Sequence, residues 1–233
     1  MSTPARCEGT GPAVPSGGDP RLKHVASALA ALVVGAASAL LPAAHAAGLD
    51  FAQFEASSSS STVVLLKALA PGSAEAPAPL VSATGTRWSD GQSVAAGAAY
   101  RWTLATGGGH ALRAGIGAGI DHFRSRAEGD SPEKTGASLR AQAEADGALG
   151  SAARYYLLAQ ATTFRDGWFA TAQVGLNDAG AGLELSRYGD VDYHSTTAIL
   201  RLPLGAAGWT LRLGAVQDKD GRRALFGVGY NGF

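Results

Sequence analysis

Polar and apolar residues alternate at every position from Ser138 to Asp146, in the stretch SLRAQAEAD. A helix would place Leu139 and Asp146 on the same stripe and so mix core and water-facing residues. A strand separates them cleanly, because successive side chains point to opposite faces. One face then carries Leu139, Ala141, Ala143 and Ala145, and the other carries Arg140, Gln142, Glu144 and Asp146. The pattern therefore predicts a β-strand with one small apolar face and one charged face.

The same alternation recurs along the chain in VAAGAAYRWTL, LRAGIGAGID, WFATAQVGL, AILRLPL and WTLRLGAV, separated by turn sequences such as SDG, TGGG, RDG and DKDG. Together these signals predict about twelve strands and no helix after residue 46. The predicted strands are 48–56, 62–70, 80–88, 93–104, 111–123, 138–146, 153–164, 168–176, 181–188, 193–204, 209–217 and 223–233.

Alternation is compatible with a soluble β-sandwich as well as with a membrane barrel. The barrel is favoured because the apolar faces carry almost no charge away from the strand ends. A charge facing lipid at the bilayer midplane costs about 2–4 kcal/mol for Arg or Lys. The strand number is also even, as a closed antiparallel barrel with both ends on one side requires. We therefore predict an all-β fold, a closed antiparallel up-and-down transmembrane β-barrel of about twelve strands, with ten as the alternative.

The connections support a barrel of the bacterial outer membrane. With both termini in the periplasm, the longest polar connection, RSRAEGDSPEKTG (124–136), lies outside, and mostly short neutral turns lie on the other side. Aromatic residues then fall where the bilayer meets water. The predicted girdle consists of Trp102, Tyr155, Trp209 and Tyr230 at the inner rim and Trp168 at the outer rim.

Composition and the beginning of the chain agree with export. The chain has 233 residues with 19 basic and 19 acidic side chains, a balance that argues against nucleic-acid binding. A basic start at Arg21 precedes the uncharged run 25–41, and AHA (44–46) suits a small-x-small cleavage site. We interpret 1–46 as a disordered leader plus a cleaved signal peptide rather than a membrane helix, and 47–233 as one barrel domain.

The chain ends in FGVGYNGF, which resembles the C-terminal signal that the barrel assembly machinery recognises. Phe233 is the terminal aromatic of that signal. In the usual pattern another aromatic stands two residues earlier, where this chain has Asn231, with Tyr230 beside it. Phe233 is thus out of phase with Tyr230 unless Gly232 allows a bulge.

From about residue 92 onward, the order and spacing of several segments resemble the cellulose-biosynthesis outer-membrane family BcsS. The segments are TGASLRAQAEAD, YYLLAQAT, GWFATAQVGL, GLELSRYGDVDY, LRLPL and GVGYNGF. The resemblance implies a small barrel that helps cellulose or another exopolysaccharide reach or stay at the cell surface. It implies no catalytic residue.

The faces opposite the apolar ones place a set of charged side chains in the predicted lumen. The set consists of Lys67, Arg101, Arg113, Asp121, Arg140, Glu144, Asp146, Glu184, Arg201 and Arg212, with Glu55 beside them. Two interpretations are open. The charges either guide a polar solute through a conduit, or they neutralise one another in an ion-pair network that fills a narrow barrel.

Other candidate chemistry is weak. His194 and Ser195 are adjacent, as in a nucleophile and its base, but neighbouring strand residues point to opposite faces. Acidic residues in the predicted outer loops could bind divalent cations, although such residues commonly serve turns. Those residues are Asp166, Asp190, Asp192, Asp218 and Asp220. We expect no enzymatic activity, no cofactor and no metal site.

Three functions remain in order of preference: an accessory barrel in exopolysaccharide (cellulose-type) synthesis or export, a small passive pore or solute channel, and an outer-membrane lipid hydrolase. The expected surroundings are outer-membrane lipid and lipopolysaccharide. The expected partners are the barrel assembly machinery and, through the family resemblance, a cellulose synthase complex or a glycan.

Overall fold

The computed structural model describes residues 50–69, 78–126, 133–176, 181–205 and 208–231. The predicted leader and signal peptide, 1–46, and the predicted terminal signal residue Phe233 lie outside these ranges. No helix among the described residues is long and apolar enough to cross a bilayer.

Twelve strands follow one another in chain order. The first six are β1 (Phe51–Ser57), β2 (Ser60–Ala68), β3 (Ala78–Trp88), β4 (Gly91–Gly107), β5 (His110–Ser125) and β6 (Glu133–Leu149). The last six are β7 (Ala153–Thr162), β8 (Trp168–Leu176), β9 (Gly182–Gly189), β10 (His194–Pro203), β11 (Trp209–Asp218) and β12 (Gly221–Asn231). A short 3-10 turn, Phe164–Asp166, lies between β7 and β8.

Each strand pairs antiparallel with its neighbours in the chain, and β1 pairs with β12 to close the barrel. The closing register sets Phe51 opposite Asn231 and Ser57 opposite Leu225. Closure leaves no edge whose backbone groups would be unpaired in hydrocarbon. The predicted twelve-stranded up-and-down barrel is confirmed. We call the end where β1 begins and β12 ends the lower rim, and the opposite end the upper rim.

The distribution of exposed and buried residues is the reverse of that in a soluble sandwich. Large apolar side chains on the outer face are open to the surroundings, with Ile120 67% and Leu139 66% exposed. Charged residues on the inner face are buried, with Glu144 5% and Arg212 3% exposed. An outer surface of this kind is suited to acyl chains and not to water. The chain is therefore an outer-membrane β-barrel.

The interior also contains a small apolar cluster. Ile199, Val216 and Leu225 are buried together on the inner faces of β10, β11 and β12. Gly214 lies opposite both Ile199 and Leu225 in the register, and a Cβ there would stand 3.0 Å from the Ile199 side chain. The cluster lies on this wall of the lumen, on the upper-rim side of Arg212 in the register.

Candidate functional site: the charged lumen

The inner faces of β5 and β6 hold one group of ion pairs. Arg140 donates from Nη2 to both carboxylate oxygens of Asp121, each at 3.1 Å. Ser138 donates a hydrogen bond to the same carboxylate. All three residues face inward because Arg140 and Ser138 are two apart on β6, and Asp121 lies beside them on β5.

Two further pairs continue this wall toward the lower rim. Arg101 on β4 donates to Glu144 at 3.3 Å, and Gln142 donates to the other oxygen of that carboxylate at 2.7 Å. Arg113 on β5 pairs with Asp146. One wall of the lumen is thus lined by alternating guanidinium and carboxylate groups that neutralise one another.

On the opposite wall, Arg212 of β11 lies between two carboxylates. Its Nε donates to Glu55 of β1 at 2.7 Å, and its Nη2 donates to Glu184 of β9 at 2.9 Å. The side chain therefore links strands that are two positions away on either side, across β12 and β10. These two charge-assisted hydrogen bonds, one to each carboxylate, fix the guanidinium in place.

Inward-facing glycines make room for these arginines along the wall. A Cβ placed on Gly119 would stand 2.7 Å from Nη2 of Arg140, and one on Gly97 would stand 2.9 Å from its Nη1. A Cβ on Gly229 would stand 3.3 Å from Cδ of Arg212. The arginine side chains consequently lie flat against bare backbone instead of extending toward the barrel axis.

Arg201 has a different environment. Its Nη1 donates to the side-chain oxygen of Gln173 at 2.8 Å, and its Nε is buried without a partner. Its register partner on β11 is Arg212, and the hydrogen bond that Glu184 accepts comes from Arg212 and not from Arg201. Nine of the ten predicted lumen residues therefore lie on the inner face, the exception being Lys67. Arg201 is one of the nine, and no carboxylate in the described part of the chain forms an ion pair with it.

The lumen assignment of Lys67 is wrong. In the register Lys67 lies opposite Val81, and the alternation of β2 turns both side chains to the outer face. Lys67 lies near the lower rim, with its ammonium 3.9 Å from Asp50. Four consecutive apolar residues, Val63 to Leu66, precede it and hide the phase of the alternation.

At the upper rim, the segment between β7 and β8 brings Arg165 into the mouth of the barrel. Its side chain is 4% exposed. It donates to Asp190 at 3.4 Å and to Asp192 at 2.6 Å. Tyr188 donates to the same Asp190 at 3.0 Å. Burial acts to lower the pKa of Arg165, but the hydrogen bonds to both carboxylates outweigh it and raise this pKa above its ordinary value.

Sequence reasoning missed Arg165, because RDG reads as an ordinary polar turn. The only local signal is Phe164, an aromatic residue directly before that turn, which is buried in the structure. Its ring lies under the ammonium of Lys134, which stands 5.4 Å from the ring centre. The predicted outer loop therefore folds back onto the barrel mouth.

The acidic loop residues mostly have protein partners. Asp190 and Asp192 bind Arg165, and Asp218 accepts hydrogen bonds from Tyr193 and Arg223. The backbone N–H of Asp220 also donates to Asp218, at 2.9 Å. No group of three or more metal-ligating side chains is found within the residues the structure describes. These carboxylates hold the upper loops in place.

The adjacent His194 and Ser195 point to opposite faces of the barrel wall, and the predicted girdle aromatics lie on the outer face near the two rims. His194 pairs in register with Gly189 on the outer face, while Ser195 pairs with Tyr188 on the inner face, so the two side chains diverge. Trp209 and Tyr230 pack against each other with ring centres 5.0 Å apart, on the outer face at the lower rim. Tyr155 and Trp102 also lie on the outer face toward the lower rim, and Trp168 lies at the upper rim.

Comparison with known proteins gives structural neighbours alone. No protein-family model and no curated protein matches the chain. The KdgM porin, alone and in complex with disordered oligogalacturonate, matches with a TM-score of 0.48 and 12% identity over 78% of this chain and 97% of its own. The Acinetobacter baumannii outer membrane protein Omp33 matches with a TM-score of 0.43 and 12% identity over 78% and 95%.

These findings correct the functional expectation. The neighbours are a porin and an outer-membrane protein, and they do not support the resemblance to the BcsS family. The expected accessory role in cellulose-type exopolysaccharide synthesis or export is therefore wrong. The likeness itself concerns the shape of the barrel.

Proposed function

We propose that the protein is a small passive channel for polar solutes in the outer membrane and has no enzymatic role. The observation that carries this proposal is the charged inner face of a closed barrel, in which arginines such as Arg140 lie flat against glycines. Side chains held against the wall favour an open axis over a plugged one. Charges lining a pore select and guide polar solutes.

The expected surroundings follow from the outer face. Outer-membrane lipid, with lipopolysaccharide in the outer leaflet, would cover the exposed apolar side chains, and the barrel assembly machinery would insert the chain after a signal peptide is cleaved. In this orientation the upper rim faces the exterior, and the mouth formed by Arg165, Asp190 and Asp192 is the entrance to the channel.

Single-channel recording in planar bilayers tests the proposal. The refolded protein is expected to give discrete, steady conductance steps in potassium chloride. Folding of the sample is checked by its resistance to denaturation by detergent at low temperature. If folded protein gave no conductance steps, the proposal would be overturned.

A matched pair of variants ties the conductance to the lumen. Ala95 faces inward, in register with Asp121, and its neighbour Ala96 faces outward, in register with Ile120. Ala95→Trp adds bulk inside the channel and is expected to reduce the conductance. Ala96→Trp adds the same bulk on the lipid side and is expected to leave it unchanged. Equal effects of the two variants would mean that the current does not pass through the barrel.

A further inference from the structure

A row of inward positions near the lower rim contains two adjacent glycines between two arginines. Arg154 lies opposite Gly175, Gly175 opposite Gly182, and Gly182 opposite Arg201. Register partners face the same side of a sheet, so all four positions face the lumen. Three strand spacings separate the two arginine backbones by about 14 Å. We call the bare surface of Gly175 and Gly182 the glycine notch.

Arg201 lies along this notch. A Cβ on Gly182 would stand 2.9 Å from Nη2 of Arg201, and a Cβ on Gly175 would stand 3.6 Å from it. A side chain at position 182 would therefore collide with the guanidinium as well as with the backbone carbonyl oxygen of Val174, which lies 2.5 Å from that Cβ. The glycines let the cation lie flat with one face toward the lumen.

No carboxylate forms an ion pair with this cation within the described residues. In the same part of the chain, Gln173 is the only hydrogen-bond acceptor of Arg201. Its Nε is buried without a partner. A buried cation that lacks a counter-charge is costly, and a ligand that supplies one would be stabilised there. A carboxylate matches the planar fork of a guanidinium with two parallel hydrogen bonds.

A second unpaired atom lies nearby on the same face. Glu184 is two residues from Gly182 on β9 and points into the lumen, and its Oε2 is buried without a partner while Oε1 accepts from Arg212. An ionised carboxylate oxygen accepts hydrogen bonds only. A ligand that carries a hydroxyl as well as a carboxylate would satisfy both unpaired groups.

We propose that Arg201, the glycine notch and Glu184 form a binding site for small hydroxycarboxylates, with Arg201 donating hydrogen bonds to the carboxylate and Glu184 accepting a hydrogen bond from the hydroxyl group. Arg154, whose side chain is 66% exposed and 3.8 Å from Asp146, adds positive charge on the other side of the notch. As a solute-selecting site of the channel, this proposal rests on the proposed function.

Binding of gluconate to the detergent-solubilised, folded protein by titration calorimetry tests the site independently of conduction. Gluconate is expected to bind, glucose is expected not to bind, and propionate, which lacks the hydroxyl, is expected to bind more weakly. Arg201→Gln should weaken gluconate binding about tenfold or more, the effect of losing one charge-assisted hydrogen bond. Arg187→Gln, on the outer face of β9, is the matched control and should leave binding unchanged.

Unchanged gluconate binding in Arg201→Gln, or equal binding of glucose, would overturn the site. Arg201→Lys is a second variant that guards against a folding defect in Arg201→Gln. It keeps the positive charge but loses the planar guanidinium, and it should bind gluconate with intermediate affinity. In planar bilayers gluconate should also interrupt the wild-type current, and Arg201→Gln should abolish this. Calorimetric binding without any conductance would leave the site standing and overturn the channel alone.

Discussion

The guanidinium carbon of Arg165 lies 3.7 Å from the centre of the Phe123 ring, directly over a side chain on the inner face of β5. Arg165 has a φ of 55°, an unfavourable conformation for a residue with a side chain. The cation–π contact and the ion pairs with Asp190 and Asp192 offset this strain. One side chain thus holds the β7–β8 and β9–β10 connections over the upper mouth.

Replacing this arginine should destabilise the barrel. Arg165→Gln leaves the buried Asp190 without its counter-charge, and breaking a buried pair in this way costs about 3–5 kcal/mol. The midpoint of denaturant unfolding in detergent micelles, followed by tryptophan fluorescence, measures the loss. Arg222→Gln serves as the control because Arg222 is an exposed residue of β12, and it should change the free energy of unfolding by less than about 0.5 kcal/mol. Equal losses would show that Arg165 is not structural.

The glycine beneath Arg140 should not tolerate a methyl group. In Gly119→Ala the new Cβ would stand 2.6 Å from the backbone carbonyl oxygen of Ala96 and 2.7 Å from Nη2 of Arg140, so both β4 and the guanidinium must shift, and the Arg140–Asp121 contact is disturbed. We expect a loss of about 1–3 kcal/mol in the free energy of unfolding, as for other overpacked sites, together with a lower conductance. Gly85→Ala is the matched control, since nothing lies within 4 Å of a Cβ at Gly85. A conductance equal to wild type in Gly119→Ala would contradict the role of the glycine.

A charge on the outer face should impair membrane insertion. Leu139→Arg places a guanidinium on the lipid-facing side of β6, at a cost of about 2–4 kcal/mol near the midplane. The fraction of protein that folds into lipid vesicles, read from its electrophoretic shift, should fall accordingly. Leu69 lies just beyond β2 at the lower rim, and Leu69→Arg should cost only about 0–1 kcal/mol there. Efficient folding of Leu139→Arg would argue that this face does not contact lipid.

The hydroxyl of Tyr193 should ionise unusually late. Burial, together with the hydrogen bond to Asp218, raises the pKa of Tyr193 to about 12. The neutral form is favoured in the folded state, so this contact contributes its full stabilisation below about pH 10, the ordinary tyrosine pKa. The contribution is lost as the pH rises through 12.

An ultraviolet difference titration of wild type minus Tyr193→Phe isolates this group. We expect one tyrosinate transition near pH 12, and a stability difference between the two proteins that is constant at neutral pH. A transition centred near pH 10 would show that the hydroxyl is not held by Asp218.

The alternation of residues predicted most of the barrel, and strand β8 runs from 168 to 176 as predicted. Strands β4, β5 and β6 run further than predicted, since β6 begins at Glu133 where polar residues occupy both faces above the apolar band. Alternation of apolar and polar residues occurs only where one face of a strand contacts lipid. It therefore gives no indication of how far a strand extends beyond the apolar band. Lys67 was misplaced for a different reason, because the uninterrupted apolar run before it does not show which residues of β2 face inward.

The upper mouth could not be predicted in the same way. Arg165 reaches Phe123 and Asp190 through a loop whose path depends on contacts between segments far apart in the chain. Function was also beyond the reach of strand patterns, because every barrel of this class repeats them. The family resemblance rested on such strands and led to the wrong role.

Arg212 and Glu55 are 157 residues apart in the chain, and their hydrogen bond spans the seam where β1 meets β12. This ion pair can form only when the two ends of the sheet have met. In an intermediate in which β1 and β12 have not yet paired, Arg212 would keep only its hydrogen bond to Glu184. The two seam strands would then expose unpaired backbone amides to lipid. Closure therefore gives the Glu55 carboxylate its guanidinium partner and pairs the seam backbones in a single event, so reopening the barrel would cost both sets of contacts at once.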